Sequence, residues 1–93
     1  MHEDMSEVDA LMAKGDYSTA IIRLSTMKSN YAKKVNSKAH VEHAISILKN
    51  IEMDKATRYA SAKEILEKAA SLDPKNKEAK TYYLMVVKLS QNV

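Results

Sequence analysis

The chain has 93 residues, of which 45% are apolar and 29% charged, and its formal net charge at pH 7 is +3. This composition excludes a disordered chain, and the length allows one small domain, 1–93, with a modest core. The absence of cysteine excludes disulfides and thiolate metal sites, and the scarcity of Gly and Pro, one of each, favours an all-α fold.

Apolar spacing predicts two helices in the first third of the chain, over residues 3–14 and from 17 to about 29. Gly15 accepts the positive φ that often ends a helix, and Asp16 can cap the helix that follows. Because two residues connect them, the helices should be antiparallel neighbours. The apolar stripe of the first helix comprises Met5, Val8, Leu11 and Met12.

A third helix is predicted after a basic connection at 30–34. Asn36 or Ser37 can cap it, and its apolar pattern continues to about residue 53, which would make it the longest helix. Its apolar members are Val41, Ala44, Ile45, Leu48 and Ile51.

Two more helices complete the prediction. A break near 54–57 leads to the fourth helix, which ends at Asp73 because Pro74 disfavours the α conformation of the residue before it. Asn76 then opens a fifth helix over 77–91. The sequence therefore predicts about five helices.

The second and fourth helices carry the same pattern of side chains. It consists of a tyrosine, a small residue three positions later, a leucine four positions after that, and a further apolar residue. The two sets are Tyr17, Ala20, Leu24 and Met27, and Tyr59, Ala62, Leu66 and Ala69.

This repeated pattern resembles the tetratricopeptide repeat, a helix-turn-helix unit that stacks into a superhelix. The matching positions are Gly15-Asp16-Tyr17-x-x-Ala20 with Leu24, and Ala62-x-x-x-Leu66-x-x-Ala69-x-x-Leu72-Asp73-Pro74-x-Asn76. The resemblance implies antiparallel hairpins stacked as a short right-handed superhelix. It would comprise one hairpin at 1–34, a longer one at 35–76 and a lone helix at 77–91.

The resemblance also implies a function, because such repeats bind other proteins, with a peptide or helix held in a concave groove. We therefore expect a non-catalytic protein-protein interaction module, a small adaptor or chaperone-like protein. The register of Ala20 implies these groove positions: His2, Met5, Asp9, Met12, Asn36, Ala39, His40, His43, Glu78, Tyr82 and Met85. One subgroup of the family grips a terminal carboxylate with Lys and Asn at such positions. Those residue types are replaced here by Met5, Asp9, His40, Glu78 and Tyr82, so a ligand held by its terminal carboxylate is not expected, and a partly apolar helix or extended segment fits better.

The chemistry of an enzyme or a metal site is not apparent in the sequence. His40 and His43 share a helix face and Glu42 is near, but the spacing is not that of the metalloprotease motif. No Gly-rich phosphate loop or nucleophile elbow is present. We expect no catalytic activity, no metal and no cofactor.

The predicted fifth helix is apolar nearly all round, through the run from Tyr82 to Val87. If Leu84 and Val87 are uncovered, a second copy could bury them, so the alternative function is a structural, self-associating homodimeric subunit. A second alternative is that the long third helix folds over them within one chain.

Membrane and nucleic-acid partners are not expected. The longest apolar run is too short to span a bilayer and the first residues are acidic, which favours a cytoplasmic location. Nucleic-acid binding is a weaker alternative, because the lysines do not form a dense stripe. Those that could take part are Lys28, Lys33, Lys34, Lys38, Lys75, Lys77 and Lys80.

Overall fold

The protein folds into helices that pack mainly against their neighbours in the chain. The computed structural model describes residues 5–91, and within them it contains helices and no strand. The helices are α1 (Ser6–Lys14), α2 (Tyr17–Ser25), α3 (Asn30–Leu48), α4 (Lys55–Leu72) and α5 (Lys77–Ser90). The predicted all-α class with five helices is confirmed. Residues 1–4, with His2 of the predicted groove and the predicted helix start at residue 3, lie outside the described residues.

Consecutive helices contact one another, and α3 also contacts α5. The molecule measures 48 × 27 × 16 Å along its principal axes. Packed helices lie about 8–10 Å apart, so the short dimension holds two layers of helices. This shape suits helical hairpins that lie side by side in a row.

The turn between α1 and α2 forms as the sequence predicts. Gly15 has a φ of 79°, and its N–H donates to the carbonyl of Met12. The N–H of Asp16 donates to the carbonyl of Leu11 at 2.9 Å, which completes a Schellman turn. The Asp16 side chain accepts a hydrogen bond from the N–H of Thr19 and so caps α2.

The start of α3 differs from the sequence prediction. Residues 30–34 form the first turns of the helix instead of a connection. Ser29 caps it by accepting a hydrogen bond from the N–H of Ala32 at 3.0 Å, and Ala32 is fully buried. Asn36 and Ser37, predicted as caps, lie inside the helix and are buried. The predicted hairpin junction between residues 34 and 35 therefore falls within α3.

The ends of α2 and α3 also come earlier than predicted, at Ser25 and Leu48. The carbonyl of Leu48 accepts a hydrogen bond from Arg58 Nη1 at 3.3 Å, so a side chain of α4 contacts the end of α3. Asp54 caps α4 by accepting from the N–H of Thr57 at 3.3 Å. With 19 residues, α3 is still the longest of the helices described above, as predicted.

Two apolar clusters form the core, and α3 contributes to both. The first joins α1, α2 and the first half of α3: Val8, Ala20, Leu24, Ala32 and Ala39. The second joins the later part of α3 with α4 and α5: Val41, Ala44, Ala62, Leu66, Ala69, Ala79 and Val86. The equivalent pairs of the repeated pattern, an alanine and a leucine from α2 and from α4, are fully buried in their respective clusters. The small alanines allow the helices to approach closely.

Candidate functional site: a groove along the third helix

One face of α3 is left uncovered by the other helices. Its side chains recur every three or four positions, as residues on one helix face do. The exposed ones are Tyr31, Lys34, Lys38, Glu42 and Ser46, followed by Lys49 just after the end of α3. Ile45 lies at the edge of this face, half-buried against the second cluster. Three neighbouring clefts follow this face, and each shares lining residues with the next, so they form one continuous groove. We call it the α3 groove.

Two turns form the walls of the α3 groove. The α1–α2 turn contributes Met12, Gly15 and Tyr17 near the C-terminal half of α3. The other wall, near the N-terminal half, is the α4–α5 turn with the start of α5. Its lining residues are Asp73, Lys75, Asn76, Lys77 and Glu78. The middle cleft, which touches both walls, has a volume of about 380 Å³.

Hydrogen bonds fix the second wall to α3. Ser37 Oγ donates to the carbonyl of Ala69 at 2.7 Å and accepts a hydrogen bond from Asn76 Nδ2 at 2.8 Å. Asn76 Oδ1 accepts from the N–H of Ala79 at 3.2 Å and thereby caps α5. A single asparagine therefore ends the turn, starts α5 and ties both to a buried serine of α3.

The groove residues predicted on α3 lie on the side of the helix that packs against the rest of the protein, and not on its exposed side. Asn36 and His40 are only 4% and 7% exposed, and Ala39 is fully buried. At about 100° per residue, Asn36, His40 and His43 lie roughly opposite the uncovered face of Lys38 and Glu42. The prediction that Asn36 and His40 line an open groove is therefore wrong in register, and His43 is half-buried.

The other predicted positions are divided between the groove and the rest of the surface. Met12 and Glu78 line the α3 groove, whereas Met5 is half-buried and packs against the first cluster. Asp9 is exposed on α1. On α5, Tyr82 packs against the second cluster and Met85 is 41% exposed.

The sequence prediction missed several residues that line the groove. They are Tyr17, Lys34, Lys38, Glu42, Ile45 and Lys49. A signal was present: Lys34, Lys38 and Glu42 recur every four residues, which is typical of a solvated helix face.

The buried surroundings of His40 favour the neutral form of its ring, because they lower its pKa. Its Nδ1 lies 2.8 Å from the carbonyl oxygen of Asn36, so the tautomer protonated at Nδ1 donates to that oxygen. Burial lowers the pKa of His40 below the usual 6.5; the hydrogen bond to Asn36 opposes this, and the positive charges of Lys68 and His43 reinforce it. Burial also lowers the pKa of His43. Among residues 5–91, no group of three or more His, Asp or Glu is placed to hold a metal ion.

Acidification should destabilise the protein through His40. Because its pKa is lower in the folded state than in the unfolded state, folding gains stability from the neutral ring above pH 6.5 and loses it as the pH falls through the lowered value. We expect the free energy of unfolding to decrease as the pH falls from neutral through and below 6.5, before most carboxylates titrate. Urea unfolding across this range would measure the slope. His40→Gln should flatten it more than His43→Gln does, and equal slopes in the wild type and His40→Gln would contradict the assignment.

The fifth helix leaves part of its apolar surface uncovered. Leu84 is 66% exposed and Leu89 is 40% exposed, whereas Val86 is buried and Val87 half-buried. Leu84 lines a shallow apolar cleft between α4 and α5 together with Ala70 and Tyr83. The alternative in which the third helix covers this run is wrong for Leu84, because two thirds of its side chain is exposed and the described residues that line its cleft belong to α4 and α5.

Neither a membrane-spanning helix within residues 5–91 nor a similar known protein gives further information on the function. Within residues 5–91, no helix combines the length and the apolar character needed to cross a membrane. Comparison of the chain with protein-family models, with curated proteins and with solved structures finds no match. The resemblance to the tetratricopeptide repeat therefore stays a prediction from the sequence motifs.

Proposed function

We propose that the protein is a non-catalytic protein-interaction module that holds a helix or an extended segment of a partner in the α3 groove. The observation that carries this proposal is the continuity of the groove along α3. From Tyr31 to Lys49 the uncovered face runs for about 27 Å at 1.5 Å per residue. That length accommodates about five turns of a helix or about eight residues of extended chain.

The side chains of the groove suit a polypeptide. Met12, Tyr17 and Ile45 are half-buried and offer apolar contact area, and charged residues flank them. Methionine adapts to differently shaped apolar partners, and tyrosine combines an apolar ring with a polar hydroxyl. The Ser37–Asn76 hydrogen bond holds one wall in place, which reduces the entropy that binding would cost.

The resemblance to the tetratricopeptide repeat gives further support. In that family the first helix of each pair lines the concave groove. The α3 groove is lined mainly by the end of α1, the face of α3 and the start of α5, the first, third and fifth helices, together with Tyr17 at the start of α2 and the α4–α5 turn. We therefore propose that the α3 groove takes the place of the binding surface that the resemblance implies, with a register on α3 that differs from the sequence prediction.

The test blocks the α3 groove with a bulky side chain at Glu42, which lines the middle cleft. A photoreactive amino acid in place of Glu42 should crosslink the partner in cells, and the identified partner is then produced in pure form. We expect Glu42→Trp to weaken its binding at least about tenfold in calorimetry, because an indole ring would fill the narrow floor, and tenfold corresponds to about 1.4 kcal/mol. The matched control is Glu64→Trp, at an exposed position of α4 outside the groove. Equal affinities of the two variants would refute the proposal.

Self-association through α5 is the second candidate function, and the exposure of Leu84 favours it. The apolar cleft that contains Leu84 is bordered by Glu67 on α4 and Lys80 on α5, so two copies could pair these charges while burying their leucines. Sedimentation equilibrium over a wide concentration range would show the dimer. Dissociation by Leu84→Asp and not by Glu42→Trp would support this candidate, and a monomeric wild type would exclude it.

A further inference from the structure

Four lysines from two distant segments meet at one end of the α3 groove. Lys34 and Lys38 come from the uncovered face of α3, and Lys75 and Lys77 come from the α4–α5 turn and the first position of α5. Tyr31, which is 65% exposed, lies beside them. We call this set the lysine end of the groove.

The described residues neutralise only part of the positive charge at the lysine end. None of the four ammonium groups forms an ion pair with any described residue. Two carboxylates line the same cleft, but Asp73 Oδ1 accepts a hydrogen bond from the backbone N–H of Lys75 within the turn. Glu78 lies in the first turn of α5, where the helix dipole favours a negative charge. The lining therefore keeps a net charge of two positives, four lysines against two acids.

We propose that the lysine end binds an acidic stretch of the partner polypeptide, while the residues that follow in the partner lie along the rest of the α3 groove. This inference rests on the proposed function and specifies the chemistry of the partner. Charge complementarity supports it, because clustered unpaired lysines attract a carboxylate-rich segment, accelerate its association and fix its direction in the groove.

A polypeptide fits this surface better than a nucleic acid does. Glu42 lines the part of the groove beyond the lysine end and would repel a continuous phosphate backbone there, whereas a peptide can carry its acidic residues at one end only. Apart from Tyr31, the lysine end has no aromatic side chain on which successive bases could stack. The groove also continues from the lysines to Met12 and Ile45, which would contact apolar side chains of a peptide.

The experiment compares three labelled probes by fluorescence anisotropy at low salt. The first peptide carries a run of glutamates at one end and apolar residues along one helix face. The second is identical except that glutamine replaces each glutamate, and the third probe is a single-stranded oligonucleotide of the same formal charge. We expect the acidic peptide to bind about tenfold more tightly than the glutamine peptide, and the difference to shrink as salt screens the charges.

Replacing lysines of the lysine end with glutamate tests whether the acidic peptide binds there. Lys38→Glu combined with Lys77→Glu should remove the preference for the acidic peptide, so that the variant binds the acidic peptide no more tightly than the glutamine peptide. The matched control, Lys55→Glu with Lys63→Glu, changes the net charge equally at two exposed lysines of α4 that do not line the groove. Thermal unfolding followed by circular dichroism would verify that both variants are folded.

Each contrary outcome overturns the inference in a distinguishable way. Equal affinity for the two peptides, with Glu42→Trp weakening both, overturns the acidic assignment and leaves the proposed function in place. Equal losses in the two lysine double variants show that net charge, and not the lysine end, attracts the peptide. Tighter binding of the oligonucleotide, abolished by Lys38→Glu with Lys77→Glu, shows that the partner is a nucleic acid. Acidic-peptide binding insensitive to Glu42→Trp and to both double variants overturns the inference and the proposed function together.

Discussion

Replacing Leu66 with alanine is expected to lower the free energy of unfolding by about 2–5 kcal/mol. Leu66 is fully buried in the second cluster, where α4 meets α3 and α5. Most of the fully buried residues around it are alanines, whose side chains are too short to move into the space that the leucine leaves. The variant would therefore keep a cavity, and the lost contacts add to the lost burial of the side chain.

The measurement is chemical denaturation followed by far-UV circular dichroism. Leu84→Ala is the matched control, because it removes the same atoms from a side chain that is 66% exposed. It should change stability by no more than about 0.5 kcal/mol. A similar loss in both variants would show that Leu84 is covered in solution, which would redirect attention to self-association. A small loss at Leu66 would contradict the packing of α4 against α3 and α5.

Local chemistry explains why the turn between α1 and α2 and the turn between α4 and α5 could be predicted. Gly15 and Asp16 end one helix and cap the next with backbone and side-chain bonds that involve only near neighbours in the chain. Pro74 and Asn76 do the same between α4 and α5, where Asn76 accepts from the N–H of Ala79. Such signals depend on a few adjacent residues and are visible in the sequence.

The boundaries of α3 could not be predicted in this way, because several residues there can cap a helix. Ser29, Asn30, Asn36 and Ser37 are all suitable by residue type. The structure selects Ser29, since the helix that begins there places Ala32 in the first cluster. Burial against α1 and α2 is a tertiary effect, and the pattern of the segment by itself does not reveal it.

The register of the groove was missed for a related reason. Polar residues such as Asn36 and His40 were assigned to a surface, yet α3 packs on α2 and on α4 and is therefore buried over most of its circumference. Ser37 lies inside because it satisfies its hydroxyl with Ala69 and Asn76, which are distant in sequence. When only the sequence is known, a polar side chain is expected at the surface, because hydrogen-bond partners that are distant in the sequence cannot be seen.

Asn76→Ala is expected to lower the free energy of unfolding by about 1–3.5 kcal/mol. Loss of a helix cap costs about 0.5–2 kcal/mol, and loss of the hydrogen bond to Ser37 adds about 0.5–1.5 kcal/mol. Asp54→Ala is the matched control, because Asp54 caps α4 without a described contact to another helix. The amount by which the loss at Asn76 exceeds that at Asp54 measures the bond between the α4–α5 turn and α3.

A double-mutant cycle with Ser37→Ala would isolate that bond, and its result bears on function. We expect a coupling energy of about 0.5–1.5 kcal/mol, with faster amide exchange at Ala79, whose N–H donates to Asn76. Because the same asparagine positions Lys75 and Lys77 against the face of α3, its loss should also weaken binding of an acidic peptide. A coupling near zero would mean that apolar packing alone orients α5, so that the lysine end would keep its geometry without the hydrogen bond.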